Sequence, residues 1–426
     1  MSDHLSLKDF DKSIEKDFLG EHITPELGYY TSEEGSLVWN LLKNAKIYNP
    51  ELINDTDVLI VGRSIAALGR DFRLPDYVEG EVIDLQGQRI VPGFIDAHVH
   101  ICGGGGEAGP ASRTPEIQLS QLTRGGTTTV VGCLGTDSVS RSMAELLVKA
   151  QALEDEGITT FIYSGAYQVP MRTLLSTLQE DLTLIEKVIG AGEIAISDHR
   201  SAQPQIAELE HLVAEARVGG MLGGKAGVVH LHLGEGKRGL QPIWTILEQT
   251  EIPITQFMPT HINRTHPLLE DGIKFLLAGG HIDLTAGCDD FPADLQVPAV
   301  LQMFNQRQIL NDRITVTSDG NGSMPQYNEA GVLIGMGVGS VEVLWRDLRE
   351  SVLHYGLPLE VAMRTITSNV ANVLRLKNKG SIRVGYDADL VVLDEALQVQ
   401  DVWAMGKCMV RNKQPKVWGT YEKRTN

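Results

Sequence analysis

From residue 90 onward the apolar positions follow two alternating rhythms. Short, nearly continuous apolar runs of β character occupy residues 90–99, 127–134, 159–165, 188–196, 228–233, 252–258, 280–285 and 314–317. Runs of that length, bounded by turn residues, suit strands buried on both faces of a parallel sheet. Between them apolar residues recur at i, i+3 and i+4, most clearly over 204–218 and 338–355, which is the spacing of one helix face. Thr114-Pro115-Glu116 has the form of a helix start, an N-cap threonine with proline at the first helical position. Eight strand and helix alternations predict an α/β fold, a (β/α)8 TIM-like barrel over residues 91–379.

The flanks differ. Residues 37–41, 58–61 and 80–85 are short β-rich runs separated by turn residues, and 380–385, 388–393 and 399–410 repeat that character near the other end. Residues 37–90 and 380–426 are therefore expected to build one small β-sandwich domain from both chain ends. Residues 1–36 form a polar N-terminal extension with an amphipathic pattern over 7–18.

Composition narrows the class. The 426 residues are 42% hydrophobic and 22% charged, ordinary values for a protein with a large core. A net charge of −18 without any lysine or arginine block argues against nucleic acid and against an anionic membrane surface. Cys102, Cys133, Cys288 and Cys408 are far apart and form no C-x-x-C pair, so a disulfide framework or thiolate zinc cluster is not suggested. With no apolar segment of signal-peptide type near Asp3, Asp9, Asp11 and Glu15, and no run long enough to span a bilayer, the expected location is cytoplasmic.

The barrel rule then tests the unusual polar residues, because a barrel carries its chemistry at the C-terminal ends of its strands. His98 and His100 close the first run at i, i+2 spacing, which places both imidazoles on one face. His232 closes the fifth run, His261 follows the sixth, and Asp319 follows the eighth. Four imidazoles and a carboxylate at one mouth suit zinc or a similar divalent ion. Glu193 lies inside the apolar fourth run, where an unpaired carboxylate costs several kcal/mol. Between two cations it would offer one oxygen to each, as a bridge in a two-metal site. The glycine run 103–106 lacks the Gly-Lys-Ser/Thr of a phosphate cradle and ends in the anion Glu107, so it is better suited to a cation.

The strings PGFIDAHVH, GGGGEAGPASRTPE, GTDS, GAYQVP, SDHRSA, GGKAG, PTHINR and SDGNGS resemble the amidohydrolase superfamily, and within it the isoaspartyl dipeptidases, over residues 37–420. PGFID-x-HVH alone marks only the superfamily, which includes deaminases and cyclic-amide hydrolases; GGGGEAG, GAYQVP and SDHRSA together are more specific. The resemblance implies metal ligation by His98, His100, His232, His261 and Asp319, with Asp319 also shuttling the proton. It implies that Glu107 holds the substrate α-amino group and that Tyr167 polarises the scissile carbonyl. Arg200, Arg264 and Ser323 match groups that hold substrate carboxylates, with Gly105 and Thr136 lining the same pocket.

One position departs from the family pattern. Counting back from Ser197-Asp198-His199-Arg200, Glu193 stands where the family usually has a carboxylated lysine bridging the metals, and one extra residue precedes it in Gly190-Ala191-Gly192. A glutamate is shorter, so a bulge at the extra residue is expected to push it toward the ions. The resemblance implies two divalent ions, Zn2+ the expected species, and a hydroxide between them that splits a β-aspartyl dipeptide into aspartate and a free amino acid. It also implies a homo-oligomer whose partner is a small dipeptide. The alternatives are another amidohydrolase, such as a deaminase or cyclic-amide hydrolase, and a non-catalytic scaffold of the same ancestry.

Overall fold

The computed structural model describes residues 38–49, 51–327 and 333–423; the amino-terminal extension and its amphipathic pattern over 7–18 lie outside them. The described residues open with β1 (Trp39–Asn49), β2 (Glu51–Val61), β3 (Ser64–Gly69), β4 (Gly80–Asp84) and β5 (Arg89–Pro92). Parallel strands follow: β6 (Phe94–Val99), β7 (Thr127–Gly132), β8 (Thr159–Ser164), β9 (Val188–Ile196), β10 (Val228–Leu233), β11 (Phe257–Thr260), β12 (Ile282–Thr285) and β13 (Ile314–Thr317). A hairpin of β14 (Ser323–Tyr327) and β15 (Leu333–Val338) comes next. The chain ends with β16 (Leu390–Leu393), β17 (Val399–Ala404), β18 (Lys407–Arg411) and β19 (Gln414–Pro415).

The first apolar run breaks in two at Gly93, where a Cβ would lie 2.2 Å from Thr128 Oγ1. Its first half, β5, joins the mixed sheet, and its second half, β6, starts the parallel one. The parallel ladder is continuous from β6 to β11 and separate from the pair β12–β13, so backbone pairing does not close a barrel. Side chains span both gaps. Asp283 on β12 accepts from Thr260 Oγ1 of β11 and from Thr315 and Thr317 Oγ1 of β13, each at 2.6 Å. Asp96 on β6 accepts from Ser318 N at 3.2 Å and Ser318 Oγ at 2.5 Å, just beyond β13, and a single bridge joins Val99 to Gly320. These buried carboxylates hold the eight strands in a curl where regular pairing fails.

The sixth expected strand is displaced. Residues 252–258 were to be strand, yet Pro253 precedes a 3-10 turn (Ile254–Gln256) and β11 begins only at Phe257. Proline lacks the N–H that a ladder needs. The expected helix start at Thr114 is also absent. The Thr114 hydroxyl accepts from Gly104 N at 2.7 Å and donates to Asn321 O at 2.8 Å, so it ties two loops together, and the helix begins at Leu119 behind Gln118. The helix expected over 338–355 runs from Val343 to Leu353, because Val338 belongs to the hairpin.

Among the described residues the two chain ends form one nine-stranded mixed sheet, where two packed sheets were expected. Register shifts at Leu42, Ala45 and Ile47 bend β1, so its first half pairs with β4 and its second with β5. One buried cluster gathers Leu42, Ile60, Ile90, Val392 and Trp403, and a second gathers Trp39, Leu41, Leu59 and Val61. Val91, Val402 and Val410 share a core with Phe94 and Leu122, so this sheet packs directly on the parallel strands.

A buried cation fastens that junction. Lys379 Nζ lies 2.6 Å from Asp389 Oδ2, 2.8 Å from Asp387 Oδ2 and 2.5 Å from Thr159 Oγ1 at the start of β8. Removing one member of such a network leaves uncompensated charge in the interior. Lys379→Met is expected to lower unfolding free energy by about 3–5 kcal/mol in denaturant titrations.

Candidate metal centre and substrate pocket

Four imidazoles converge on one carboxylate. His98 is the penultimate residue of β6 and His100 follows the strand, His232 sits in β10, and His261 comes one residue past β11. Glu193 is buried between them and divides its two oxygens. Oε2 lies 3.2 Å from His98 Nε2 and 3.9 Å from His100 Nε2; Oε1 lies 2.6 Å from His232 Nδ1 and 3.3 Å from His261 Nε2. Asp319 Oδ1 completes the group, 3.0 Å from His100 Nε2 and 3.4 Å from His98 Nε2.

The backbone explains how a side chain as short as glutamate gets there. Ala191 pairs with Val229 and Ile194 with Leu231, so β9 uses three steps where β10 uses two. This bulge carries one extra residue at Gly192–Glu193, next to the glycine-flanked residue that the sequence singled out. Gly192 has φ +152°, and a Cβ there would stand 2.9 Å from both His230 Cβ and His230 O. Only glycine fits that approach.

The donor set suits a metal. His98 Nε2 and Glu193 Oε2 are buried and face each other across 3.2 Å without hydrogen-bond alignment, so neither atom has a hydrogen-bond partner there. Burial, reinforced by Arg264, pulls the His261 pKa down to about 3 and keeps that imidazole neutral. Burial alone would raise the Glu193 carboxyl, but His98 and His232 outweigh it and hold it well below its usual value. Three overlapping groups have their ligand atoms within 4.8 Å of one another: His98 with His100, Cys133 and Glu193; His98 with His261 and Asp319; and Glu193 with His232 and His261.

Several partners of these residues were not anticipated. His230, read from the sequence as a core histidine, has Nε2 3.0 Å from His98 Nδ1 and stacks on Tyr163 with centroids 5.0 Å apart. Thr285 Oγ1 lies 2.7 Å from His261 Nδ1, and Cys133 Sγ lies 3.8 Å from His100 Nδ1. Each contact fixes the far nitrogen of an imidazole whose near nitrogen faces the cluster, the arrangement that orients metal-binding histidines. Asp198 Oδ2 lies 3.0 Å from His232 Nε2 and 2.9 Å from Arg200 Nη2. Its place two residues before Arg200 was the one available signal.

The remaining candidates border the same cluster. Tyr167 OH lies 2.9 Å from His232 Nδ1, and burial, with Glu193 nearby, keeps the phenol protonated well above its usual pKa. Arg264 Nη1 lies 3.2 Å from His232 Nε2 and donates to Leu233 O at 2.7 Å. Glu107 Oε1 accepts from Thr136 Oγ1 at 2.7 Å and stands 3.5 Å from Arg200 Nη1. Gly105, at φ +75°, approaches Ser323 so closely that a Cβ would lie 2.6 Å from Ser323 Cβ. Direct contacts thus link eleven of the thirteen residues proposed from the sequence to the histidine cluster, and the other two, Gly105 and Ser323, approach each other.

Residues 89–240 and 296–412 match the model of the amidohydrolase family. The chain belongs to that family, whose members depend on metal. The crystal structure of a beta-aspartyl dipeptidase from Fervidobacterium islandicum AW-1 in complex with a beta-Asp-Leu dipeptide is 43% identical with TM-score 0.82, over 89% of this chain and 98% of that one. Within the family this chain is a member of the isoaspartyl dipeptidases. A D-hydantoinase from Thermus sp. shares the fold at 18% identity and TM-score 0.64, over 90% of this chain and 98% of that one. A dihydroorotase from Staphylococcus epidermidis is 39% identical over 90 residues, which is 21% of this chain and 20% of that protein's length. No helix among the described residues is long and apolar enough to cross a membrane.

Proposed function

We propose that this chain hydrolyses β-aspartyl dipeptides to aspartate and a free amino acid. The observation that carries the reading is Glu193, whose two oxygens each address a separate histidine pair inside a pocket that also offers Glu107, Arg200 and Arg264. Such a pocket complements a substrate with one ammonium and two carboxylates. The reading extends to a (β/α)8 barrel over 91–379, a β domain from 37–90 and 380–426, and an extension at 1–36. It includes a homo-oligomeric enzyme in a reducing cytoplasm, consistent with free cysteines at 102, 133, 288 and 408.

His98, His100, His232, His261, Glu193 and Asp319 would hold two divalent ions, for which zinc fits the nitrogen and carboxylate donors. When bound, such ions supply Lewis-acid polarisation and lower the pKa of water toward neutrality. Glu107 receives the substrate ammonium, and the positive charges of Arg200, whose Nε and Nη2 are held by Asp198, and of Arg264 attract its carboxylates. Ser323, Gly105 and Thr136 shape the wall around them. Asp319 has Oδ1 committed to His98 and His100, which leaves Oδ2 as the base. Oδ2 removes a proton from the attacking water as its oxygen bonds to the β-carbonyl carbon. Tyr167 keeps its proton and donates a hydrogen bond to the developing oxyanion. The proton on Oδ2 then passes to the amide nitrogen, the C–N bond breaks, and the amine leaves.

The test is an assay of β-Asp-Leu against α-Asp-Leu on protein of measured metal content. Turnover of the β-linked dipeptide alone is expected, and equal turnover of both would reject the assignment. Glu107→Gln removes the charge opposite the ammonium without changing side-chain length. It is expected to reduce kcat/KM for β-Asp-Leu by about 10- to 100-fold, the scale of a charge-assisted hydrogen bond. N-acetyl-β-Asp-Leu should be a poor substrate for the unmodified enzyme and should lose little more on the substitution.

A further inference from the structure

The opposite end of the parallel strands carries a second feature. A cavity of about 540 Å³ opens where β10 and β13 begin, and Arg217, Lys225, Arg313 and Arg375 line it. Among the described residues Asp312 is its sole acidic lining residue, and His281 its sole imidazole. Four cations meet here in a chain whose net charge is −18.

Some cations elsewhere meet carboxylates: Arg346 pairs with Asp289, Arg411 with Glu81, and Lys379 with Asp389. In this cavity the partners are neutral. Arg217 Nη1 donates to Gln256 Oε1 at 3.3 Å, and Gln256 is itself anchored through Nε2 to Gly227 O. Lys225 Nζ donates to Ile185 O at 2.5 Å. Among the described residues none of the four makes an ion pair. Arg217 and Lys225 are half-buried and held in place, while Arg313 and Arg375 stand exposed at the rim. Burial holds the Lys225 ammonium below its usual pKa, with Glu186 countering only in part. Like charges gathered in a recess repel one another unless an anion neutralises them.

We propose that this cavity binds a small multivalent anion of the phosphate class. Two guanidinium forks at the rim and two fixed cations within match a ligand with several anionic oxygens. The recess lies at the N-terminal ends of the strands, away from the histidine cluster, so its occupation is separate from dipeptide hydrolysis.

Isothermal titration of the metal-loaded full chain at fixed ionic strength tests this, with pyrophosphate in one arm and glycerol 3-phosphate in the other. Saturable binding of one ligand per chain is expected in at least one arm, and the arm that binds more tightly separates an inorganic anion from a phosphorylated metabolite. The double variant Arg313→Gln/Arg375→Gln should bind at least about tenfold more weakly and should hydrolyse β-Asp-Leu at the unmodified rate. Arg217→Gln supplies a second variant, and melting temperatures establish that each is folded. Absence of binding in both arms would overturn the assignment, as would equal binding by the double variant, which would place the anion outside this cavity.

Discussion

Asp319→Asn is expected to lower kcat for β-Asp-Leu by about 10²- to 10⁴-fold, the range spanned by a positioned acid and base, with little change in KM. Asparagine preserves volume and keeps one carbonyl oxygen toward His98 and His100, the side that Oδ1 occupies at 3.4 and 3.0 Å. It replaces the second oxygen by an amide nitrogen, which has no lone pair to accept a proton. Loss of proton transfer with retained binding would therefore appear as a fall in kcat and kcat/KM together. Metal stoichiometry measured on the same preparation separates this from loss of a ligand. Full turnover by a metal-replete variant would remove Asp319 from the proton path.

What the sequence allowed, and what it did not, follows from how each feature is encoded. Strands buried on both faces read as continuous apolar runs, so most of β6 to β13 could be placed from hydropathy alone. The exception, β11, follows a proline whose missing N–H turned the first part of the run into a 3-10 turn. Thr114-Pro115 satisfied a local helix rule, but its hydroxyl had a better use between Gly104 and Asn321, 207 positions away in the chain. The histidine cluster was legible because strand polarity sends every C-terminal end to one mouth. His230, Thr285 and Asp198 were not, since each acts by touching an imidazole from another strand. Apart from the i, i+2 spacing of Asp198 and Arg200, such contacts have no signature in local spacing. The open ladder between β11 and β12 was equally hidden, because an aspartate among three threonines replaces backbone pairing there.

Glu193→Gln is expected to lower metal affinity by more than about 100-fold, beyond the 10- to 100-fold typical of losing an outer-shell partner, and to abolish turnover with it. The carboxylate serves two histidine pairs at once, through Oε2 to His98 and His100 and through Oε1 to His232 and His261. Glutamine can present an oxygen to only one of these pairs. Its amide N–H would point at the other, where the proposed site would hold a cation, and the negative charge that would neutralise the proposed pair of ions would be gone. The fold should survive, because the substitution removes a buried charge and keeps the shape of the side chain. Apo-protein melting at or above the unmodified temperature, together with loss of metal, would separate ligation from packing. Glu193→Asp sharpens the test. The bulge at Gly192–Glu193 brings the backbone close enough for glutamate, and a side chain one methylene shorter withdraws both oxygens from the histidines. Aspartate should therefore fail despite keeping its charge. If it binds both ions as tightly as glutamate does, the extra residue in β9 has no part in positioning the bridge.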